Sequence, residues 1–205
     1  LGFSVKAGMT YKCGSGTGVN VSKLRAKGEL LSNRGQASGP ISFMHIWDQV
    51  AGSIKSGGKT RRAASMIVMD VDHPDIEDFI NCKIYEEKKA KELVKAGYSI
   101  EEAYSTVSFQ NANHSIMLND KFIDAIKHGE KWHLINRGNK EVAKTVYARD
   151  LFTKIAEAAW QTGDPGVLFY DSINKFNPIP SVGSIVGPNP CGEFVHIPNS
   201  ACNLA

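Results

Sequence analysis

The chain has 205 residues, 42% of them hydrophobic and 22% charged, enough for one domain with a buried core. Its 24 basic and 21 acidic side chains leave a net charge of +3, too small to mark a nucleic-acid or membrane surface. No apolar run reaches the roughly 20 residues of a membrane-spanning helix, and the start Leu1-Gly2-Phe3-Ser4-Val5-Lys6 lacks the regions of a signal peptide. Four cysteines, with no Cys-x-x-Cys pair, make neither a disulfide framework nor a zinc knuckle, so a reducing, cytoplasmic setting is expected. The missing initiator Met and the apolar ending Cys202-Asn203-Leu204-Ala205 read as a piece of a longer chain.

Along the chain, Gly14-Ser-Gly-Thr-Gly18 reads as a tight glycine loop and Ser32 to Pro40 as a polar loop. Phe43, Ile46, Trp47, Val50, Ala51 and Ile54 have the spacing of an amphipathic helix that stops at Gly57-Gly58. Ser65 to Met69 reads as a buried strand. Asp72-His73-Pro74-Asp75 opens a helix running toward Gly97, with Pro in the first turn and acids near the positive dipole end. Ser99 and Glu102 form a capping box for a short helix. Thr106 to Phe109 and Ser115 to Leu118 read as strands, Asp120 to His128 as a helix and Trp132 to Ile135 as a strand. A helix from Asp150 to Gln161 stops at Gly163 and Pro165, and Val167 to Phe169 returns as a strand. Strands alternating with helices predict an α/β fold with mainly parallel pairing. The last forty residues are irregular, with five prolines between Pro178 and Pro198, and a long ordered loop there points to function.

Asn189-Pro190-Cys191-Gly192-Glu193 carries the chemistry. Prolines stiffen the approach to the thiol and glycine permits a tight turn after it. If the segment is extended, residues two apart share a side, which would place Cys191 with Asn189 and Glu193. A thiol beside a base and an amide suits a nucleophile or a hydrogen-atom donor, against the plainer reading of a buried structural cysteine. Cys202 follows a segment, Phe194 to Ile197, that reads as a strand and could return the chain toward Cys191. Cys82 reads as filler. The glycine loop is neither a Walker loop nor a dinucleotide fingerprint, though its N–H groups could approach a phosphate or sugar. Lys59, Arg61 and Arg62 could clamp an anion or simply face solvent. The six histidines show no metal-ligand spacing, and His114 reads as a hydrogen-bonded strand residue.

Together with Lys12-Cys-Gly-Ser-Gly-Thr-Gly-Val-Asn-Val-Ser-Lys-Leu-Arg25, Thr60-Arg-Arg-Ala-Ala64, Asp70-Val-Asp-His-Pro-Asp75 and Asn111-Ala-Asn-His114, the cysteine loop and Ala201-Cys-Asn-Leu-Ala205 resemble the large catalytic subunit of ribonucleotide reductase over essentially the whole chain. The glycine segment, the Thr-Arg-Arg-Ala-Ala segment and the short Cys191–Cys202 interval are most similar to the adenosylcobalamin-dependent class II enzymes. The resemblance implies a ten-stranded α/β barrel with a finger loop through its centre. Residues 1–205 would be a partial catalytic barrel domain, the N-terminal half ending in the finger loop.

The resemblance also implies roles. Cys191 matches the fingertip thiyl radical that abstracts the ribose 3′ hydrogen, Glu193 the base for the 3′-hydroxyl proton, and Asn189 the amide that binds substrate hydroxyls. Cys202 matches one member of the cysteine pair that supplies reducing equivalents; its family partner lies upstream of the glycine segment and has no counterpart here. Ser15, Gly16, Pro190 and Gly192 match substrate-contacting positions. Lys12 and Arg25 match effector-binding positions at the specificity site, and Arg61 the loop relaying effector identity. The implied cofactor is adenosylcobalamin. The implied partners are a ribonucleotide substrate, a deoxynucleotide effector, a thioredoxin-type dithiol and a second copy in a homodimer. The rival readings are a class I large subunit served by a separate radical-generating subunit, and a non-catalytic nucleotide-binding module.

Overall fold

The computed structural model describes residues 2–32, 35–54 and 63–202. Helix α1 (Gly2–Lys12) turns at Cys13–Gly14 into strand β1 (Gly16–Asn20), and α2 (Pro40–Ser53) leads to β2 (Ala64–Asp70). Then follow α3 (Ile76–Lys95), α4 (Ile100–Ser105), β3 (Asn113–Leu118) and α5 (Asp120–His128). A hairpin of β4 (Lys131–Ile135) and β5 (Val142–Tyr147) precedes α6 (Ala148–Thr162), β6 (Gly166–Phe169) and α7 (Tyr170–Lys175). Two short strands, β7 (Gly187–Pro188) and β8 (Val195–His196), close the order.

Strands β1, β2, β3 and β6 form a parallel sheet in that order, open at β1 and β6 among the described residues. The register pairs Gly18 with Met66, Met66 with Asn113 and Ser115 with Gly166. Since side chains alternate along a strand, Gly16, Gly18, Asn20, Met66, Val68, Asn113, Met117 and Leu168 share one face. On the other face Ile67, Met69, Ile116 and Leu118 join Met44 and Trp47 of α2, Phe79 and Ile80 of α3, Phe122 of α5 and Leu151 and Ile155 of α6 in the main core. A smaller cluster of Met66, Val68 and Met117, flanked by Leu168 and Tyr170, forms on the first face. Both faces of β2 are therefore covered, which is why its sequence is a continuous apolar run rather than an alternation.

Several elements follow local sequence rules. Proline opens α2 directly after Gly39 at φ +78°, and the reciprocal Ser99–Glu102 capping box is present at α4. Asn119 caps α5, which ends at Gly129 in the left-handed conformation.

Elsewhere tertiary contacts override the local reading. The glycine segment is not a loop throughout: Gly16 to Asn20 pair with Ala64 to Val68 as a strand. Pro74 precedes the N-cap of α3 instead of sitting in its first turn, and Asp75 turns its carboxylate away to accept a hydrogen bond from Lys27 N at 2.9 Å. Thr106 to Phe109 are not a strand, because the buried Asp48 carboxylate of α2 accepts from Phe109 N and Asn111 N at 2.8 Å each and Phe109 takes φ +63°. Trp132 to Ile135 are a strand, but an antiparallel one outside the main sheet. The Gly57-Gly58 stop expected after α2 lies outside the described residues.

Two histidines are buried against the sheet. His73 accepts from Asp75 N at Nδ1, which leaves its proton on Nε2 to donate to Leu24 O at 2.9 Å. His114 lies among Phe79, Phe109 and the Cys82 thiol, and its Nε2 finds no hydrogen-bond partner among the described residues. Burial holds both imidazoles below the ordinary histidine range, with Lys83 adding to the effect at His114 and Arg137 at His73. An unfolded histidine binds its proton near pH 6.5, whereas these two resist it, so unfolding takes up protons and stability falls with pH below about 6.5. Opening of β2 and β3 in the full-length protein, read by segment-resolved hydrogen exchange, should become easier from about pH 7.5 to about pH 5.5. An unchanged opening free energy over that window would show that both imidazoles protonate as readily in the fold as outside it.

Candidate active site

The segment carrying Cys191 lies across the sheet face opposite the main core. Its entry is pinned at Ile185, whose N–H donates to Asn174 Oδ1 at 2.8 Å while its carbonyl accepts from Asn174 Nδ2 at 3.0 Å. Val186 O accepts from Asn20 Nδ2 at 2.9 Å. Gly187 and Pro188 pair antiparallel with His196 and Val195, so the segment goes out and returns as a narrow hairpin.

Its neck is closed at one pair of residues. Asn189 N donates to Phe194 O at 2.8 Å, and Phe194 N donates to the Asn189 side-chain oxygen at 3.0 Å. Gly192 N then donates to Asn189 O at 3.2 Å, closing a four-residue turn with Pro190 and Cys191 in the middle. Asn first, Pro second and Gly fourth are the residues such a turn favours, and Gly192 takes φ +88°. The segment is therefore a tight turn, not the extended stretch in which residues two apart share a side. The Asn189 carbonyl oxygens serve the loop itself, which leaves the side-chain NH2 for a ligand.

Strand β1 is the bed for this hairpin. A Cβ on Gly18 would fall within the Pro188 carbonyl oxygen, and one on Gly16 would fall within the Pro190 ring and 2.8 Å from Ala64 O. Two glycines two residues apart thus clear one strip of a strand, so that a second backbone can approach it closely. Asn113, at the start of β3, donates from Nδ2 to Pro190 O at 2.9 Å and ties the tip down next to the cysteine. Cys191 and Glu193 are both exposed at that tip, and none of the hydrogen bonds holding the turn uses their side chains. Cys82, by contrast, is buried in the core, and burial pushes its thiol up to about 12, outside thiolate chemistry.

The other expected residues divide between the two ends of β1. Exposed Ser15 and half-buried Gly16 lie at the fingertip end with exposed Lys12, whereas exposed Arg25 lies beyond the far end, about 17 Å of strand away by the usual rise. Cys202 is half-buried, and Arg61 with its neighbours Lys59 and Arg62 lies outside the described residues.

The stretch around Arg25 is held by buried or bridging groups. Glu29 accepts from Ala26 N and Arg137 N at 3.1 Å each and from Gly138 N. Its slight burial pushes the carboxyl up, but these three N–H donors and Arg25 outweigh that and hold it below the usual range. Arg137 also donates to Ser22 O at 2.7 Å and forks onto both Asp72 oxygens at 3.2 and 2.6 Å.

Sequence reasoning missed Asn20 and Asn113 as site residues. Asn113 lies inside a motif that stands out in the sequence, but His114 holds attention there. The available signal was the Gly-x-Gly alternation followed at the same period by Asn20, which marks one strand face for close backbone approach. A Gly18→Ala variant should loosen residues 186–192, accelerating their hydrogen exchange about ten- to hundred-fold, as about 1–3 kcal/mol of overpacking would. Gly183→Ala, where a Cβ meets open space, should leave those rates unchanged; equal rates in both variants would refute the close approach.

Known proteins are similar to this chain in sequence. The ribonucleotide reductase barrel domain family matches residues 3–205. The chain is 50% identical to a vitamin B12-dependent ribonucleotide reductase of Streptomyces avermitilis over 97% of its own length and 21% of the relative's. It is 46% identical to a protein of that name from Rhodopirellula baltica, over 96% of this chain and 19% of the relative. To a vitamin B12-dependent ribonucleoside-diphosphate reductase of Thermoplasma acidophilum it is 38% identical, over 96% and 23%. The chain thus spans about a fifth of the length of the curated relatives it matches. With its parallel sheet, its cysteine turn and a match over nearly every residue, the chain belongs to the ribonucleotide reductase barrel domain family.

Proposed function

We propose that the full-length protein reduces ribonucleotides to 2′-deoxyribonucleotides by radical chemistry at Cys191, with adenosylcobalamin as cofactor. The observation that carries this reading is the exposed thiol on a turn whose backbone is tied to the sheet by Asn113 and bedded on Gly16 and Gly18. Relatives named as vitamin B12-dependent support the cofactor, and they do not favour the alternative of a separate radical-generating subunit. Adenosylcobalamin, when bound, supplies the organic radical that begins the reaction. The described residues fit such a group at one point: Cys191 stands open on a held turn, where its S–H hydrogen can be taken.

As a thiyl radical, Cys191 takes the 3′ hydrogen of the ribose and returns it at the end of the cycle, since S–H and the ribose C–H are of similar strength. Glu193 accepts the 3′-hydroxyl proton, and the Asn189 side-chain NH2 donates to the substrate hydroxyls. The 2′-hydroxyl takes a proton from one thiol of the cysteine pair and leaves as water, and the other thiol's hydrogen goes to C2′. Cys202 and a partner thiol supply two electrons and become a disulfide, which a thioredoxin-type dithiol reduces again. Ser15, Gly16, Pro190 and Gly192 line the substrate side. Lys12 and Arg25 contact a deoxynucleotide effector, and Arg61 lies in the loop that relays its identity, in a cytoplasmic homodimer. A barrel closed around the finger by the rest of the protein would exclude water and stray reductants from the thiyl radical.

The decisive experiment is deoxyribonucleotide formation by the full-length protein with dithiothreitol, with and without adenosylcobalamin. Strict dependence on the cobalamin is expected. Activity only on adding a metal-loaded small subunit would overturn the cofactor, and effector binding without any product would favour a non-catalytic module. Cys191→Ser should abolish turnover while nucleotide affinity stays within about threefold, and Glu193→Gln should lower kcat by about 10²–10⁴-fold. Parallel loss of turnover and binding in Cys191→Ser would make the cysteine structural.

A further inference from the structure

We infer that Asn20 is a positioning residue that joins the Arg25 stretch to the cysteine finger, so that what happens at one is felt at the other. The inference rests on reading Arg25 as an effector contact and Cys191 as the reactive thiol. Its physical basis is one side-chain amide with both its hydrogens and its oxygen engaged. Asn20 Nδ2 donates one hydrogen to Val186 O, at the base of the finger, at 2.9 Å, and the other to Asp70 Oδ1 at 3.0 Å. Its Oδ1 accepts from Ser22 N at 2.9 Å, at the first turn of the stretch leading to Arg25.

That stretch continues the connection. Ser22 Oγ accepts from Asp70 N at 2.6 Å, and Ser22 O accepts from Arg137, which reaches Glu29 through its own N–H. Val21 N donates to Val68 O at 2.9 Å, so the strand itself ends where the stretch begins. A shift of Ser22 cannot leave the Asn20 amide in place without breaking a bond, and a rotation of that amide withdraws its hydrogen from Val186 O. Lost hydrogen bonds of half-buried groups are costly, so the two segments are energetically linked through this one group.

Neither the isosteric acid nor a truncated side chain satisfies the three partners. Aspartate would set a second carboxylate against Asp70 Oδ1 and Val186 O with no hydrogen to donate, and alanine would leave all three groups unpaired. Coupling through Asn20 also works in both directions: a ligand that orders the finger must change affinity at Arg25 by the same factor as the reverse.

The test is hydrogen exchange over residues 21–29 and 186–194 in the full-length protein, alone and with dATP, dGTP, dCTP or dTTP added in turn. Without nucleotide, Asn20→Ala should accelerate exchange in both segments by about tenfold, the factor that about 1.4 kcal/mol of lost bonding gives. Asn113→Ala should accelerate only 186–194. With nucleotide, the parent and Asn113→Ala should show slowing in both segments, whereas Asn20→Ala should show it only at 21–29. Slowing at 186–194 in Asn20→Ala equal to that in the parent, or acceleration of a single segment without nucleotide, would overturn the coupling. Acceleration of both segments with no nucleotide response at 21–29 in the parent would instead uphold the joint and refute Arg25 as an effector contact. If Asn20→Ala fails to fold, Asn20→Ser, which keeps a small hydrogen-bonding side chain, should show the same two-segment pattern at lower amplitude.

Discussion

The approach of one backbone to another over Gly16 and Gly18 sets the geometry of everything on that side of the sheet. Parallel sheets in α/β proteins normally carry helices on both faces. Here, among the described residues, the long helices cover one face, and on the other, beside the short α7, a hairpin of irregular chain lies within contact of β1 because two alternate residues have no side chain. The small apolar cluster of Met66, Val68 and Met117 fills the remaining part of that face. Neither helix nor cluster could come as near as the hairpin does, and nearness places Pro190, and with it Cys191, at the amino ends of the strands.

Around this contact the buried polar groups act as fasteners between segments distant in sequence. Asp48 holds the approach to β3 by two backbone N–H groups, His73 holds Leu24, Asp75 holds Lys27, and Arg137 ties the β4–β5 turn to Ser22 and Asp72. Each satisfies orphan donors or acceptors of irregular chain, which would otherwise be expensive to bury. The regular elements are held by apolar packing, and the connecting segments by these side chains. The second arrangement leaves the stretch around Arg25 well defined though it belongs to no helix or strand.

The helices and central strands were legible in sequence because their signals are local. Apolar spacing marks α2, the capping box marks α4, and Asn119 with Gly129 brackets α5. Failures came where a distant group decided the backbone. Thr106 to Phe109 have strand-forming residues, but Asp48 bends them; Gly16 to Asn20 have glycines of a loop, but β2 recruits them as a strand. Strand β5 is mostly exposed and, among the described residues, pairs only with β4, so no buried face imprints a pattern on it. At the site, the composition of the cysteine turn was readable, since Pro and Gly restrict the backbone directly. Its anchoring by Asn20 and Asn113 was not, because an asparagine carries no trace of a partner that lies 166 or 77 residues away.

The finger is held almost wholly by its main chain: Ile185, Val186, Asn189, Pro190, Gly192 and Phe194 contribute backbone atoms, and the partners contribute the side chains. Cys191 and Glu193, which would carry the hydrogen-atom and proton steps, therefore have no structural duty, whereas Asn189 both closes the turn and offers its NH2 to the substrate. Except at Asn189, shape and proton or hydrogen transfer are written at separate positions of the tip. The tip can be rewritten for another chemistry on an intact scaffold, whereas any change beneath it moves every atom of the tip together.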